Sequence, residues 1–229
     1  MSHFTVAVIV PKNRKESDLD NYIDHIMEPF DEGIEVEPYI SLTKEELWVE
    51  YNDYKKRGDN SYSTFEEFSD DYCGHGNDED GNALSTYNPN AKWDWYEIGG
   101  RWNGLIETKD SRKVNHARIK DIVFSKKFDD LEKQKIKNEY KELIEKGDFY
   151  KPEYYQERYP DFDSYLESFN FSTYALLDKD GNWHEPGEMG WFGVSSASIQ
   201  DEIDFKQKYN EIINSQDPED WIVVVDCHI

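Results

Sequence analysis

Apolar and polar positions fall into distinct blocks along this chain. Phe4 to Val10 (FTVAVIV) is a near-continuous apolar run closed by Pro11, the pattern of a strand buried on both faces. Trp221 to Val225 (WIVVV) is a second such run at the other end. Between them the period changes. Ser17 to Met27 places Leu19, Tyr22, Ile23 and Ile26 at helical spacing, with Ser17 as a cap and Pro29 as a stop. Glu35 to Ile40 alternates and holds Pro38, which an edge strand tolerates. Thr43-Lys44-Glu45-Glu46 and Thr64-Phe65-Glu66-Glu67 are capping boxes, opening helices to about Arg57 and about Tyr72. Phe128 to Lys146 and Ser198 to Ser215 are longer amphipathic stretches. Phe171 to Leu177, the turn Asp178-Lys179-Asp180-Gly181-Asn182 and Trp183-His184-Glu185 read as a hairpin.

Two buried Val-rich strands at opposite ends, with helices and a hairpin between, predict an α+β fold. The economical layout is a ferredoxin-like antiparallel sheet core with long helical insertions. The chain then reads as a single domain over 1–229, with an acidic insertion at about 43–91 and a basic helical insertion at about 109–169. In such a core the first and last strands are antiparallel neighbours, so His3 sits beside Asp226 and His228.

One stretch fits neither a buried strand nor a solvated loop: Lys92-Trp93-Asp94-Trp95-Tyr96-Glu97-Ile98-Gly99-Gly100-Arg101-Trp102-Asn103-Gly104. Trp93 to Ile98 reads as a strand, Gly99-Gly100 as a turn or bulge, and Asn103 to Thr108 as a continuing strand. Trp93, Trp95 and Trp102 offer stacking surfaces, the glycines allow close approach, and Arg101 offers a fork of donors for carboxylate or phosphate. A second Gly/Trp stretch, Pro186-Gly187-Glu188-Met189-Gly190-Trp191-Phe192-Gly193, follows the hairpin.

Charge narrows the classes. The 229 residues carry 50 Asp/Glu against 26 Lys/Arg, a net charge of −24, so the chain repels nucleic acid and anionic membrane unless basic residues cluster locally. Direct nucleic-acid binding is not expected. The surface suits a basic partner instead. Gly58 to Ala91 has no Lys or Arg, and its Asn77 to Asn82 segment lacks the carboxylates a calcium loop needs at its first and twelfth positions. Lys109 to Lys151 is the exception, with 13 basic against 9 acidic residues, and a basic face for phosphates is one reading of it. Two cysteines, Cys73 and Cys227, far apart in sequence, favour a reducing compartment. No basic region precedes the first apolar run and no run is long enough to span a bilayer, so a soluble protein of the cytoplasm is expected, with no membrane contact.

Three clusters are candidates for chemistry: Asp94, Tyr96, Arg101 and Trp102; His184, Glu185, Glu188 and Trp191; and His3, Asp226 and His228. The last has the donor types for a divalent metal. A Cys/His zinc site from Cys73, His75, Cys227 and His228 is a weaker alternative. His3-Phe4-Thr5 has the His-x-Thr form of two-histidine phosphoesterases, but no second copy of the motif exists. The most developed reading is a pocket in which Trp and Tyr stack a base, Arg101 and the Gly99 and Gly100 amides hold a phosphate, and a carboxylate reads the base edge.

Ser2-His3-Phe4-Thr5-Val6, Trp93 to Trp102, Gly187-Glu188-Met189-Gly190-Trp191 and Val224-Val225-Asp226-Cys227-His228-Ile229 together resemble a set of uncharacterised proteins encoded mainly by bacteriophages and prophages. The resemblance implies a phage accessory protein acting in the host cell. Three functions follow as expectations. The first is a non-enzymatic inhibitor of a host defence protein, of the anti-CRISPR or anti-restriction type, using Glu66, Glu67, Asp70 and Asp71 to occupy a basic groove. The second is a protein that captures or cleaves a nucleotide messenger with the Trp/Gly/Arg pocket. The third is a small metal-dependent hydrolase.

Overall fold

A computed structural model describes residues 2–58, 61–72, 76–190 and 193–229. The first apolar run forms β1 (His3–Val10), followed by α1 (Leu19–Met27). Next come β2 (Glu35–Leu42), α2 (Lys44–Lys56), α3 (Phe65–Tyr72) and β3 (Ala83–Tyr87). The Trp-rich stretch supplies β4 (Trp95–Ile98), and short strands β5 (Ile106–Glu107), β6 (Lys113–Val114) and β7 (His116–Arg118) follow it. Three helices, α4 (Asp130–Lys146), α5 (Pro152–Arg158) and α6 (Phe162–Glu167), precede the hairpin β8 (Ala175–Leu177) and β9 (Trp183–His184). The chain closes with α7 (Ile199–Ser215) and β10 (Trp221–His228). Among the described residues no helix is long and apolar enough to cross a membrane.

The fold is α+β. Contacts divide it into two compact units, Met1–Glu28 with Trp93–Ile229, and Pro29–Lys92. The acidic stretch 43–91 lies in the second unit, together with β2. The basic stretch 109–169 belongs to the first.

The first unit is built on a mixed sheet in the order β4-β10-β1-β8-β9, with β7 also pairing β10. β1 and β10 are antiparallel over their whole length, from His3 opposite His228 to Val10 opposite Trp221. β8 is parallel to β1 and forms a hairpin with β9. The first strand of that hairpin lies against β1 and the second lies outside it. Nearly every residue of β1 and β10 is buried, which explains their unbroken apolar runs. β10 runs three residues past the predicted Val225, because its polar end pairs with β4.

Alternation sends successive side chains to opposite faces. Ala7 and Ile9 of β1, with Ile222 and Val224 of β10, pack with Leu176, Tyr209 and Ile213 in one apolar cluster. α7 starts from a capping box: Ser198 accepts from Asp201 N, and the Asp201 side chain returns to Ser198 N. Buried Leu19, Ile23 and Met27 form the inner stripe of α1, but Ser17 is not its cap. Its hydroxyl donates to Asp18 instead.

The second unit pairs β2 with β3 and buries Leu47, Phe65, Phe68 and Ala83. The capping box at Thr43 forms as predicted. Asp78 accepts from the Asp80 and Asn82 amides, so the calcium-like segment is a self-bonded turn.

Ile222 is fully buried in the centre of the sheet. Ile222→Ala should lower unfolding free energy by about 2–5 kcal/mol, whereas Leu131→Ala, at a position 76% exposed, should stay within about 0.5 kcal/mol. Urea midpoints of the two variants compare these directly.

Candidate functional site

The face that carries Ala7, Ile9, Ile222 and Val224 turns polar at one end. In register there stand His3 and Thr5 of β1, Asp226 and His228 of β10, and Trp95 and Glu97 of β4. Two of the three sequence clusters therefore merge. They do so in part: Asp94 and Arg101 of the first cluster join His3, Asp226 and His228, with Trp95 beside them, because β4 pairs with the end of β10, whereas Tyr96 and Trp102 of that cluster do not.

Asp226 is the anchor. It is 1% exposed, and a carboxylate at that depth is tolerated only if its oxygens are bonded. Its Oδ1 lies 2.8 Å from His3 Nδ1, and its Oδ2 accepts the Arg101 amide at 2.9 Å. His228 Nδ1 is bonded to the Asp94 carboxylate, and the Asp94 amide donates to the His228 carbonyl at 3.0 Å. The two rings meet edge to face with centroids 5.0 Å apart, and Trp95 stands 6.1 Å from His3. An ionised carboxylate only accepts, so each Nδ1 carries the proton and Nε2 is left as the reactive nitrogen. His228 Nε2 is buried and has no hydrogen-bond partner.

The Gly-Gly turn explains how the loop reaches the carboxylate. Gly99 has φ +78° and Gly100 φ +45°. A Cβ at Gly100 would fall 2.5 Å from the Asp226 Cβ, and one at Gly99 would fall on the Asn115 amide group. Asn115 holds the loop from the other side, accepting from Gly104 N at 2.7 Å through its side chain and from Val224 N at 2.8 Å through its carbonyl. The Gly99 amide donates to Val224 O at 2.9 Å and the Arg101 amide to Asp226. The Gly99 amide is therefore not free for the expected phosphate cradle: it completes the strand, and the Arg101 amide orients a carboxylate. The Arg101 guanidinium is exposed and makes no hydrogen bond or ion pair among the described residues.

Other expected site residues lie elsewhere. Trp93 is 7% exposed, with its Nε1 donating to Met27 O at 3.3 Å, so it is core. Trp102 packs against the apolar cluster. Tyr96 alternates to the opposite face, where its hydroxyl donates to Asp24. Burial, reinforced by that bond, pushes the Tyr96 hydroxyl well above its ordinary value. Burial likewise raises the Cys227 thiol, with Asp226 adding to the effect, so it stays protonated. Cys73, His75 and Trp191 lie outside the described residues.

The second cluster does not reach the first. His184 is in register with Leu176, which pairs Ala7, four positions along β1 from His3. Its Nε2 lies 2.9 Å from Asp178. Burial pushes the Asp178 carboxyl up, but bonds from His184 and Asn182 outweigh it and hold it below the usual range. Glu185 accepts from Trp183 Nε1 at 2.8 Å, and the Glu188 amide donates to Ser196 Oγ at 2.9 Å. The tip of the Glu188 loop does approach the histidine end of the sheet: a Cβ on Gly193 would lie 3.8 Å from Ser2 Oγ.

His3, Asp226 and His228 do not converge on one point as a metal triad, since Asp226 bonds His3 and an amide. Among the described residues no group of three His, Cys, Asp or Glu side chains is arranged to hold a metal. Sequence reasoning missed the His228–Asp94 pairing and the place of Glu97 opposite Asp226. The alternation of β4 contains that second signal once its partner strand is known.

No protein-family model matches this chain, and no curated protein or solved structure matches it significantly.

Gly100→Ala combines left-handed strain with a clash on Asp226, whereas Gly181, at φ +82°, has open space around it. Gly181→Ala should cost about 1 kcal/mol and Gly100→Ala about 3 kcal/mol or more, read as the difference in urea midpoints.

Proposed function

We propose that the protein binds and processes a nucleotide or related phosphate ester at the histidine end of the β1–β10 pair. The observation that carries this reading is the paired imidazoles: His3 and His228, 5.0 Å apart, each bonded through Nδ1 to a different carboxylate. Two oriented imidazoles suit a displacement at phosphorus. One, neutral, would take the proton of the attacking hydroxyl at Nε2, and the other, entering as the imidazolium with a second proton on Nε2, would give that proton to the departing oxygen. Trp95, 49% exposed, offers a stacking face for a base, worth roughly 1–3 kcal/mol. Arg101 supplies charge for a phosphate.

The test is incubation with a panel of nucleotides and cyclic oligonucleotides, with product followed by chromatography and ³¹P NMR. His3→Ala and His228→Ala should each lower turnover by roughly 10²–10⁴-fold, and Arg101→Ala should weaken binding. Turnover surviving both histidine substitutions would rule the reading out, as would a panel that neither binds nor reacts.

A second reading rests on a separate observation. Pro29–Lys92 carries 16 acidic and 5 basic residues, and Glu66, Glu67, Asp70 and Asp71 are all exposed on α3. This surface supports the inhibitor of a basic-grooved host defence protein implied by the phage resemblance. Glu67 and Asp71 also have local roles, accepting from Ser63 N and the Tyr62 hydroxyl. Reversal of Glu66 and Asp70 alone should therefore leave the fold intact and abolish protection of phage in a host carrying the targeted defence. Undiminished protection would exclude this surface.

A further inference from the structure

Lys109 to Lys151 is the one basic stretch of an acidic chain, and its fold places three of its lysines around a single cleft. The cleft has a volume of about 560 Å³ and is lined by Lys126, Lys127 and Lys133, with Ser125, Phe128 and Asn170 between them. That volume is the size of a small-ligand site.

The polar groups of the cleft are mostly donors. Lys126, Lys127 and Lys133 are exposed and make no ion pair among the described residues. Elsewhere in the same unit lysines have carboxylate partners, as in Lys12–Asp217, Lys120–Glu219 and Lys146–Glu142. Asn170 accepts the Lys126 amide at 3.1 Å through Oδ1, which leaves its side-chain N–H groups as the free end. Glu167, the one carboxylate in the lining, is 3.3 Å from Lys206. The nearby Asp129 carboxylate is taken by the Leu131 and Glu132 amides of α4.

The frame is held. Phe171 N donates to Phe124 O at 3.0 Å, and Phe128 meets Phe169 edge to face at 5.6 Å. Phe128 and Leu166 give the lining apolar surface beside its charges. Three ammonium groups concentrated in one cleft of a chain with net charge −24 mark a site for an anion of high charge density.

We propose that this cleft binds a small polyphosphate ester, with its phosphates on Lys126, Lys127 and Lys133 and its apolar part against Phe128 and Leu166. The site shares no residue with the histidine site, so either can fail without the other.

The test uses the full chain with tripolyphosphate, which has neither the base nor the ester that the histidine site is proposed to recognise, in metal-free buffer of low ionic strength, by calorimetry and ¹H–¹⁵N NMR. The expected result is saturable binding of one equivalent, with amide shifts confined to Ser125–Lys133 and Asn170. Replacing all three lysines by Gln, at exposed positions where folding is not at stake, should raise the Kd by at least roughly tenfold. Arg101→Ala should leave it unchanged, and added salt should weaken it. Equal binding by the triple variant, shifts centred on Arg101, or no saturation by the wild type would overturn the proposal. So would affinity that climbs with oligonucleotide length in place of one-to-one binding, which would make the cleft a nucleic-acid contact.

Discussion

The pairing of β1 with β10 fixes where every other part of the first unit can go. Eight residue pairs, from His3 opposite His228 to Val10 opposite Trp221, set a single register. A slip of one residue would turn a whole strand over, because side chains alternate with a period of two. Ala7, Ile9, Ile222 and Val224 would then lose their common apolar cluster, and Asp226 would leave the face it shares with His3. The apolar residues thus hold the polar ones in place. The burial that stabilises the sheet is what makes the placement of two histidines and a carboxylate at its end so definite.

That end has its own requirement. Asp226 lies where water cannot solvate it, so its two oxygens need donors from the protein. His3 comes from the neighbouring strand and the Arg101 amide from a loop more than a hundred residues distant in sequence. The loop can approach only because Gly100 has no Cβ. The Gly-Gly pair, which alone suggests a cradle for a ligand, is a consequence of the buried carboxylate. Asn115 closes the same loop from the far side, so a substitution there acts on Asp226 without touching it.

Much of the framework was legible in the sequence. The two Val-rich runs are the central strands, the box at Thr43 caps its helix, and the Asp-Gly turn closes β8 on β9. These are local signals, written in neighbouring residues. The neighbourhood of His3, Asp226 and His228 followed from one topological premise, that the end strands pair. The rest of the site was not legible, because it depends on which strand lies beside β10. Asp94 and His228 are far apart in sequence, and nothing local links them. Trp93 and Trp95 have the same parity, yet one is core and the other exposed, because the regular strand begins only at Trp95. Tyr96 follows the alternation of β4 and so leaves the face that its sequence neighbours define.

The two imidazoles are held unequally. His3 is tied to a carboxylate side chain only 2% exposed, itself fixed by a backbone amide. His228 is tied to Asp94, whose side chain is 34% exposed and sits just before β4. The first ring has one orientation, set by buried partners that cost free energy to move. The second depends on a carboxylate open to solvent and ions, so its orientation is the softer of the two. A firmly held imidazole therefore stands beside one whose partner is open to solvent. The distinction follows from the environment of two carboxylates rather than from the histidines themselves, and the registers of β1 and β4 on β10 together create it.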